Sequence, residues 1–101
     1  MTDQPFPDLA PDEFHLAGQW LDGENGFIGD AVEDRIKWLT QQRLVAEASA
    51  SDGWDWLFLD PRDGRLWELT FPSGSLHGSG PRQLANITRA EAAAKYGIPP
   101  V

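Results

Sequence analysis

The sequence of 101 residues contains no cysteine, so the fold must be held by packing and not by disulfides. The absence of cysteine fits a reducing compartment such as the cytoplasm. No apolar run approaches the roughly 18 to 20 residues that a membrane span needs. The first residues, MTDQPFPDLAPDEF, also lack the basic and apolar regions of a signal peptide. We therefore expect one cytoplasmic domain without a membrane segment.

Positive charge is missing from the first third of the chain. No Lys or Arg occurs before residue 35, and the whole sequence has a formal net charge of −8. A binder of phosphate backbones needs clustered Lys and Arg, so this balance argues against nucleic acid and permits a basic protein partner. The alternative interpretation is a solvated acidic surface that only keeps the protein soluble. The nine acids of this stretch are Asp3, Asp8, Asp12, Glu13, Asp22, Glu24, Asp30, Glu33 and Asp34.

Residues that bind metals are scarce as well. The two histidines, His15 and His77, lack the local spacing of a metal site, and no cysteine is present to bind zinc. The segment 22–26, DGENG, is similar to the start of a calcium loop, but its glycine falls at the wrong place and no bidentate Glu follows at the right one. The segment is more typical of a turn. We therefore expect neither a metal nor another cofactor.

The loop from 72 to 82, PSGSLHGSGPR, is rich in Gly and Ser. A phosphate-binding loop normally opens directly into a helix, whereas here Pro81 intervenes, so the sequence favours an irregular connector. A hydrolytic acid and base pair can be drawn from His77 with Asp60 or Glu68, but the serines of this loop belong to no nucleophile motif. We therefore do not expect an enzyme.

Residues 53 to 71 predict a β-hairpin around which the rest of the chain is organised. The sequence GWDWLFLDPRDGRLWELTF has two apolar runs that flank turn-forming residues at 60 to 65. If Asp60 faces Arg65 across a four-residue loop, the register of both strands is set. A two-residue turn at Asp63-Gly64 is the alternative, but it gives poorer cross-strand pairs. The preferred register pairs Phe58 with Trp67, Trp56 with Leu69, Trp54 with Phe71, Leu59 with Leu66 and Leu57 with Glu68.

The preferred register also divides the hairpin into two faces, because successive side chains of a strand alternate. The three pairs with aromatic residues share one face, which we expect to be buried core. The two leucine pairs lie on the other face, which we expect to be half wetted. This assignment leaves Trp20 and Trp38 unexplained among the five tryptophans. An exposed tryptophan beside acids would suit a protein interface.

Two helices are predicted from capping signals. Asp30 with Glu33 and Thr88 with Glu91 have the spacing of capping boxes. In the first helix an apolar stripe recurs at helical spacing, and it consists of Val32, Ile36 and Leu39. The other segments follow from alternation and from turn-forming residues. The expected elements are a mobile tail at 1–12, a strand at 13–21, a loop at 22–29, a helix from 30 to about 42, a strand at 44–51, the hairpin, a short extended piece at 83–87 and a helix at 88–96.

This order predicts an α+β fold with a four-stranded antiparallel sheet, in which a strand, a helix, a three-strand meander and a terminal helix follow one another. The first helix is expected to pack on the aromatic face of the hairpin, because a hairpin alone is marginal in water and must bury its apolar face. We expect a single domain at 13–98, with tails at 1–12 and 99–101.

Several short motifs stand in a specific order along the hairpin and the loop that follows it. They are Asp52-Gly53-Trp54, Asp60-Pro61, Asp63-Gly64-Arg65, Trp67-Glu68-Leu69-Thr70 and His77-Gly78-Ser79-Gly80-Pro81. With Arg35-Ile36, Leu39 and the Lys95-Tyr96-Gly97 ending, the sequence resembles the immunity protein 27 family of bacterial polymorphic toxin systems. The resemblance covers the chain from about Phe14 to Gly97.

The resemblance implies a small cytoplasmic immunity protein, encoded beside a toxin, that binds and neutralises this toxin. A basic nuclease would suit the acidic charge of the chain. Two alternatives stay open, namely an acidic interaction module unrelated to toxins and a hydrolase that uses His77. The loop between the first strand and the first helix is expected to be exposed, which favours the acids around it as contacts. The residues that we expect to bind the toxin are Asp22, Glu24, Glu33, Trp38 and His77.

Overall fold

The computed structural model describes residues 4–23, 26–50, 53–71 and 81–99, and for 20–23 and 26–29 it describes the backbone only. The described part is an α+β fold, as predicted, with two helices and two antiparallel sheets. Its elements are β1 (His15–Ala17), β2 (Trp20–Gly23), β3 (Gly26–Gly29), α1 (Ala31–Trp38) with a π-helical turn after it (Leu39–Arg43), β4 (Val45–Ser49), β5 (Trp56–Leu59), β6 (Leu66–Thr70), β7 (Gln83–Ile87) and α2 (Arg89–Tyr96).

The main sheet of the described part has five antiparallel strands in the order β1-β7-β6-β5-β4. The prediction of four strands is wrong in number, because the short extended piece at 83–87 is a full strand. This strand, β7, lies between β1 and β6 and pairs with both. Its Leu84 is completely buried, which accounts for a strand at this place. The order of helices and strands read from the sequence therefore predicts the right fold class, α+β, but one strand too few in the main sheet.

The central hairpin has the predicted register. Trp56 lies opposite Leu69 and Phe58 opposite Trp67, while Leu59 lies opposite Leu66. The four-residue turn closes through the amide of Asp60, which donates to the carbonyl of Arg65 at 2.9 Å. Within the turn, Gly64 has a φ of 78°, a conformation that glycine adopts without strain.

A second, two-stranded sheet lies where the sequence predicted a loop at 22–29. Strands β2 and β3 pair antiparallel, with Gly23 opposite Gly26. The prediction of a loop is therefore wrong for 22–23 and 26–29, and the predicted turn falls on residues 24 and 25, which lie outside the described part. The predicted strand at 13–21 is interrupted at 18 and 19, where the amide of Gly18 donates to the carbonyl of Arg82 at 2.8 Å.

Both helices begin at the predicted caps. At α1, the amide of Glu33 donates to Asp30 Oδ1 at 2.8 Å, but the Glu33 side chain turns away to Arg82 and does not complete a capping box. The α-helical part ends at Trp38, and the chain continues to Arg43 as a π-helical turn. At α2, Thr88 and Glu91 form a complete capping box.

The core has two layers, one on each side of the main sheet. Under α1, the buried side chains include Ile36, Leu39 and Trp67. On the opposite side, Leu57 and Leu66 are buried beneath α2. The predicted half-wetted face agrees with the partial exposure of Leu59 and Glu68, but the terminal helix buries Leu57 and Leu66.

The segment before β1 packs against the domain. Leu9 is 3% exposed and belongs to the core under α1. The Arg35 guanidinium donates to the carbonyl of Pro7 at 3.1 Å and to that of Asp8 at 3.0 Å. The expectation of a mobile tail therefore does not describe residues 7–10, whose backbone is bound by arginines that lie far along the chain.

Candidate partner-binding surface

Two tryptophans near the start of β5 are exposed on the face of the sheet that carries α1. Exposure rises along this face from 6% for Phe58 to 39% for Trp56 and 51% for Trp54. The Trp54 ring meets the half-buried Phe71 edge to face, with ring centroids 6.5 Å apart. We call Trp54, Trp56 and Phe71 the tryptophan patch. It is a region where large aromatic side chains reach solvent beside one another.

The tryptophan patch is open because α1 covers the β1 end of this face of the sheet and not the β5 end. In the described part, α1 packs chiefly over β1, β3 and β7. The sequence prediction placed Trp54 and Trp56 in the core beneath this helix, and it is wrong for both. The physical reason is β7, which inserts between β1 and the hairpin and moves β5 one strand, about 4.8 Å, further from the helix.

Small side chains flank the patch on the edge strand. Ser49 lies opposite Trp56, Ala46 lies opposite Phe58, and both small residues are exposed. A register shift at Glu47 interrupts the pairing of β4 with β5. Such a bulge discourages uncontrolled pairing of an edge strand. The two indoles are therefore exposed beside the small side chains of the edge strand.

The motif residues of the hairpin turn have structural roles. Asp60 is 2% exposed, and its Oδ1 accepts the amide of Arg62 at 2.9 Å. Pro61 and Gly64 lie exposed at the tip. Asp63 Oδ2 lies 2.6 Å from Arg65 Nε. These contacts fix the turn that sets the hairpin register.

Arg65 then connects this turn to the amino-terminal segment. Its guanidinium donates to the carbonyls of Glu13 at 2.6 Å and Ala10 at 3.0 Å. The same group lies 4.9 Å from the ring centre of the buried Trp67, within the range of a cation–π contact. Arg65 and Trp67, two residues of the motif, thus hold the segment before β1 against the sheet.

A charged network lies on the α2 side of the sheet. Lys95 Nζ is 2.7 Å from Asp55 and 2.6 Å from Glu68, and the hydroxyl of Tyr96 donates to Glu68 at 2.8 Å. Burial alone would lower the pKa of Lys95, but its hydrogen bonds to the two carboxylates outweigh this effect and raise it. An open groove of about 480 Å³ runs beside the network, with Ile87 and Glu91 in its lining. The network joins α2 to β5 and β6.

Glu33 is buried, so the prediction of an exposed toxin contact at this position is wrong. Its side chain is 1% exposed and pairs with Arg82, whose backbone amide also donates to Glu33 Oε2 at 2.9 Å. Gly18 passes so close that a Cβ there would lie 2.6 Å from Glu33 Oε2. From its place in the first turn of the helix, the Glu33 carboxylate was expected to face solvent. It is buried because it pairs with Arg82, which lies 49 positions away in the sequence.

Trp38 is half-buried and not a free anchor. Its ring lies 6.1 Å from that of Phe6, and the Arg43 guanidinium lies 5.8 Å from its centre.

Of the other predicted contacts, Glu24 and His77 lie outside the described residues, and so does the side chain of Asp22. Gly78 and Gly80 of the glycine motif also lie outside them, while Pro81 is half-buried and Gly53 adopts a φ of 77°.

The acids of the first third are partly neutralised by arginines from later in the chain. Asp8 pairs with Arg43, Glu13 with Arg35, and Glu33 with Arg82. The lack of Lys and Arg before residue 35 therefore does not leave all of these acids without a cationic partner. Of the described acids in this stretch, the exposed Asp12 and Asp34 form no ion pair.

The pair of Glu13 with Arg35 predicts a defined loss of stability in acid. Two hydrogen bonds of 2.7 Å from Arg35 lower the pKa of Glu13 to about 2, from an ordinary value of 4.5. Since the folded-state pKa is depressed, this pair contributes its full stability above pH 4.5 and loses it as the pH falls towards 2. In urea unfolding at several pH values, Glu13→Gln should flatten the fall in unfolding free energy over this interval.

Asp12 provides the matched control for that measurement, because it is the adjacent acid, exposed and without an ion pair in the described part. Asp12→Asn should leave the acid dependence close to that of the parent. Equal pH profiles for Glu13→Gln and the parent would show that the pair with Arg35 does not contribute.

The described residues contain no group of three or more His, Asp or Glu side chains placed to hold a metal ion. Neither described helix is long and apolar enough to cross a membrane.

A scan against family models matches residues 22–88 to the model described as immunity protein 27. The match extends over about two thirds of the chain, from β2 to the cap of α2. The chain belongs to the immunity protein 27 family. No match was found among curated proteins or among solved structures.

In this member of the family, most of the motif residues that the structure describes stabilise the fold. Asp60, Asp63 and Gly64 shape the hairpin turn, while Arg65 and Glu68 connect the sheet to other segments. Trp54 differs, because this motif residue is half exposed in the tryptophan patch. The sequence analysis missed the exposure of the patch, because it treated 83–87 as a short extended piece and not as a strand of the main sheet.

Proposed function

We propose that this member of the immunity protein 27 family neutralises a cognate protein toxin by binding it in a stoichiometric complex, without catalysis of its own. The observation that carries the proposal is the family match over residues 22–88. In this proposal the protein acts in the bacterial cytoplasm, where it meets the toxin encoded beside it.

The contacts of the carboxylates support binding over hydrolysis. A general base must reach its substrate or a water molecule. The two carboxylates considered as partners for His77 are engaged otherwise, since Asp60 is 2% exposed and accepts a backbone amide, and Glu68 holds Lys95 and Tyr96. These contacts favour a structural role for both acids.

The charge of the chain supports a basic toxin surface, such as that of a nuclease. Within the described part, six of the eight Lys and Arg form ion pairs with carboxylates of the same chain. The chain therefore has few unpaired cations that would repel a basic partner, and its formal net charge of −8 attracts one. Complementary charge accelerates encounter. Asp22 and Glu24 stay in the proposal as acidic contacts that contribute to this encounter, and His77 stays as a further contact.

The test is coexpression of the chain with the toxin domain encoded beside it. We expect the cells to survive, and the two proteins to elute together with the mass of a one-to-one complex in size-exclusion chromatography with light scattering. His77→Ala should still protect when the chain is in excess, because no catalytic histidine is required, and the loss of this contact should only weaken the complex. Protection without a detectable complex, or loss of protection in His77→Ala with the complex intact, would contradict neutralisation by binding.

A further inference from the structure

The tryptophan patch is an aromatic surface without a described function. Trp54 and Trp56 stand two residues apart on one face of the hairpin, with 51% and 39% of their surfaces exposed. Tryptophan is enriched among the residues that dominate binding energy at protein interfaces, because its large flat side chain gains much contact at small cost in entropy. Two such side chains, at and next to a strand that is paired on both of its edges, form a preorganised binding surface.

The other exposed apolar side chains of the described part do not form such a surface. Phe14 is 56% exposed and lies beside Arg65, at the opposite end of β6 from Phe71 and the two exposed tryptophans. Val45 is 49% exposed and sits at the start of the edge strand, on the side of the sheet that carries α2. Trp38 lies against Phe6 and Arg43. The tryptophan patch is therefore the place in the described part where exposed aromatic rings adjoin one another.

Charge decides which occupant suits this surface. A second copy of the chain would bring another formal charge of −8 against the first, which opposes association. The Arg82 guanidinium lies 5.4 Å from the ring centre of Phe71 in the patch, and its charge is already paired with Glu33. A partner with Lys and Arg at its rim fits these charges better than a second copy does.

We propose that the tryptophan patch is the surface on which the toxin docks, and that the toxin presents apolar side chains surrounded by Lys and Arg. This inference rests on the proposed function. The indoles of Trp54 and Trp56 are buried against the apolar part of the toxin, and the exposed edge strand with Ala46 and Ser49 lets the toxin approach closely.

The first test measures toxin affinity by calorimetry for Trp54→Ala, Trp56→Ala and the double variant. Since truncation of a central aromatic anchor removes a large share of the binding energy, we expect the double variant to raise the dissociation constant by about 30-fold or more. Phe14→Ala is the matched control. Phe14 is an equally exposed aromatic residue beside Arg65 at the start of β6, whereas Trp54 lies beside Phe71 at its end. The control should change the constant by no more than about 2-fold.

A second test uses the unmodified chain and does not depend on how the variants fold. Hydroxyl-radical footprinting with mass spectrometry should show oxidation of Trp54 and Trp56 in the free protein and protection of both in the toxin complex. Phe14 should be oxidised to the same extent in both. Full-affinity binding by a folded double variant, or oxidation of both tryptophans undiminished in the complex, would overturn the proposal.

The outcomes separate this inference from the proposed function. If the parent chain does not bind the toxin, the proposed function fails and the docking surface fails with it. If the parent and the folded double variant bind equally well, only the docking surface fails. A free parent protein that is a dimer by light scattering, and becomes monomeric in the double variant, would show that a second copy covers the patch and would also overturn the inference.

Discussion

Trp67→Ala is expected to lower the free energy of unfolding by about 3 to 5 kcal/mol, which is enough to unfold much of a domain of ordinary stability. Trp67 is completely buried in the core between β6 and α1, among side chains that include Ile36 and Leu84. Its removal leaves a large cavity and deprives Arg65 of the ring that lies 4.9 Å beneath its guanidinium. Urea unfolding followed by circular dichroism measures the loss.

The matched control is Trp56→Ala, which removes the same side chain from the neighbouring strand and the same face of the sheet. Because Trp56 is 39% exposed, its removal should cost only about 1 kcal/mol. A loss in Trp56→Ala as large as that in Trp67→Ala would mean that α1 covers β5, and it would remove the basis for an open tryptophan patch.

Glu33→Ala is the second substitution with a large expected effect, about 3 to 5 kcal/mol. The carboxylate is 1% exposed and joins α1 to Arg82 at the entrance of β7. Its removal leaves the Arg82 side chain and the Arg82 amide without their acceptor. Breaking this pair is costly, because the Arg82 amide loses its acceptor and the guanidinium, whose side chain is only 30% exposed, keeps part of its desolvation penalty.

Asp34→Ala serves as the control, because Asp34 is the next acid of the same helix and is exposed. It should change the unfolding free energy by no more than about 0.5 kcal/mol. The double variant Glu33→Ala with Arg82→Ala should cost less than the sum of the two single variants, since they share one interaction. Additive losses would show that the two residues act independently and that the pair does not fix β7.

Local signals predicted the parts of the fold that depend on neighbouring residues. The turn formers at 60 to 65 set the register of β5 and β6, because the loop length decides which residues face each other. The caps at Asp30 and Thr88 start the helices, because their oxygens accept amides within one turn. These predictions needed no knowledge of the rest of the chain.

The parts that could not be predicted depend on pairings between distant residues. Glu33 is buried because Arg82 reaches it from 49 positions away, and nothing in the local pattern marks this partner. The same holds for the segment at 7–10, which Arg35 and Arg65 bind from the first helix and the hairpin.

The tryptophan patch shows how one such error carries into the candidate site. Alternation placed Trp54 and Trp56 on the correct face. Their exposure depends on where α1 lies across the sheet, and this follows from the position of β7 between β1 and β6. The hairpin motifs predicted the family, while the surface that we propose for docking required the order of the strands.

The most direct measurement of the central claim is a titration of the purified toxin with the chain, read out as toxin activity. If the chain neutralises the toxin by stoichiometric binding, toxin activity should fall linearly with the amount of chain added. It should reach zero at one molecule of chain per molecule of toxin. Complete inactivation at a small fraction of one equivalent would reveal a catalytic mechanism, and full activity at a large excess would show that the chain does not neutralise this toxin.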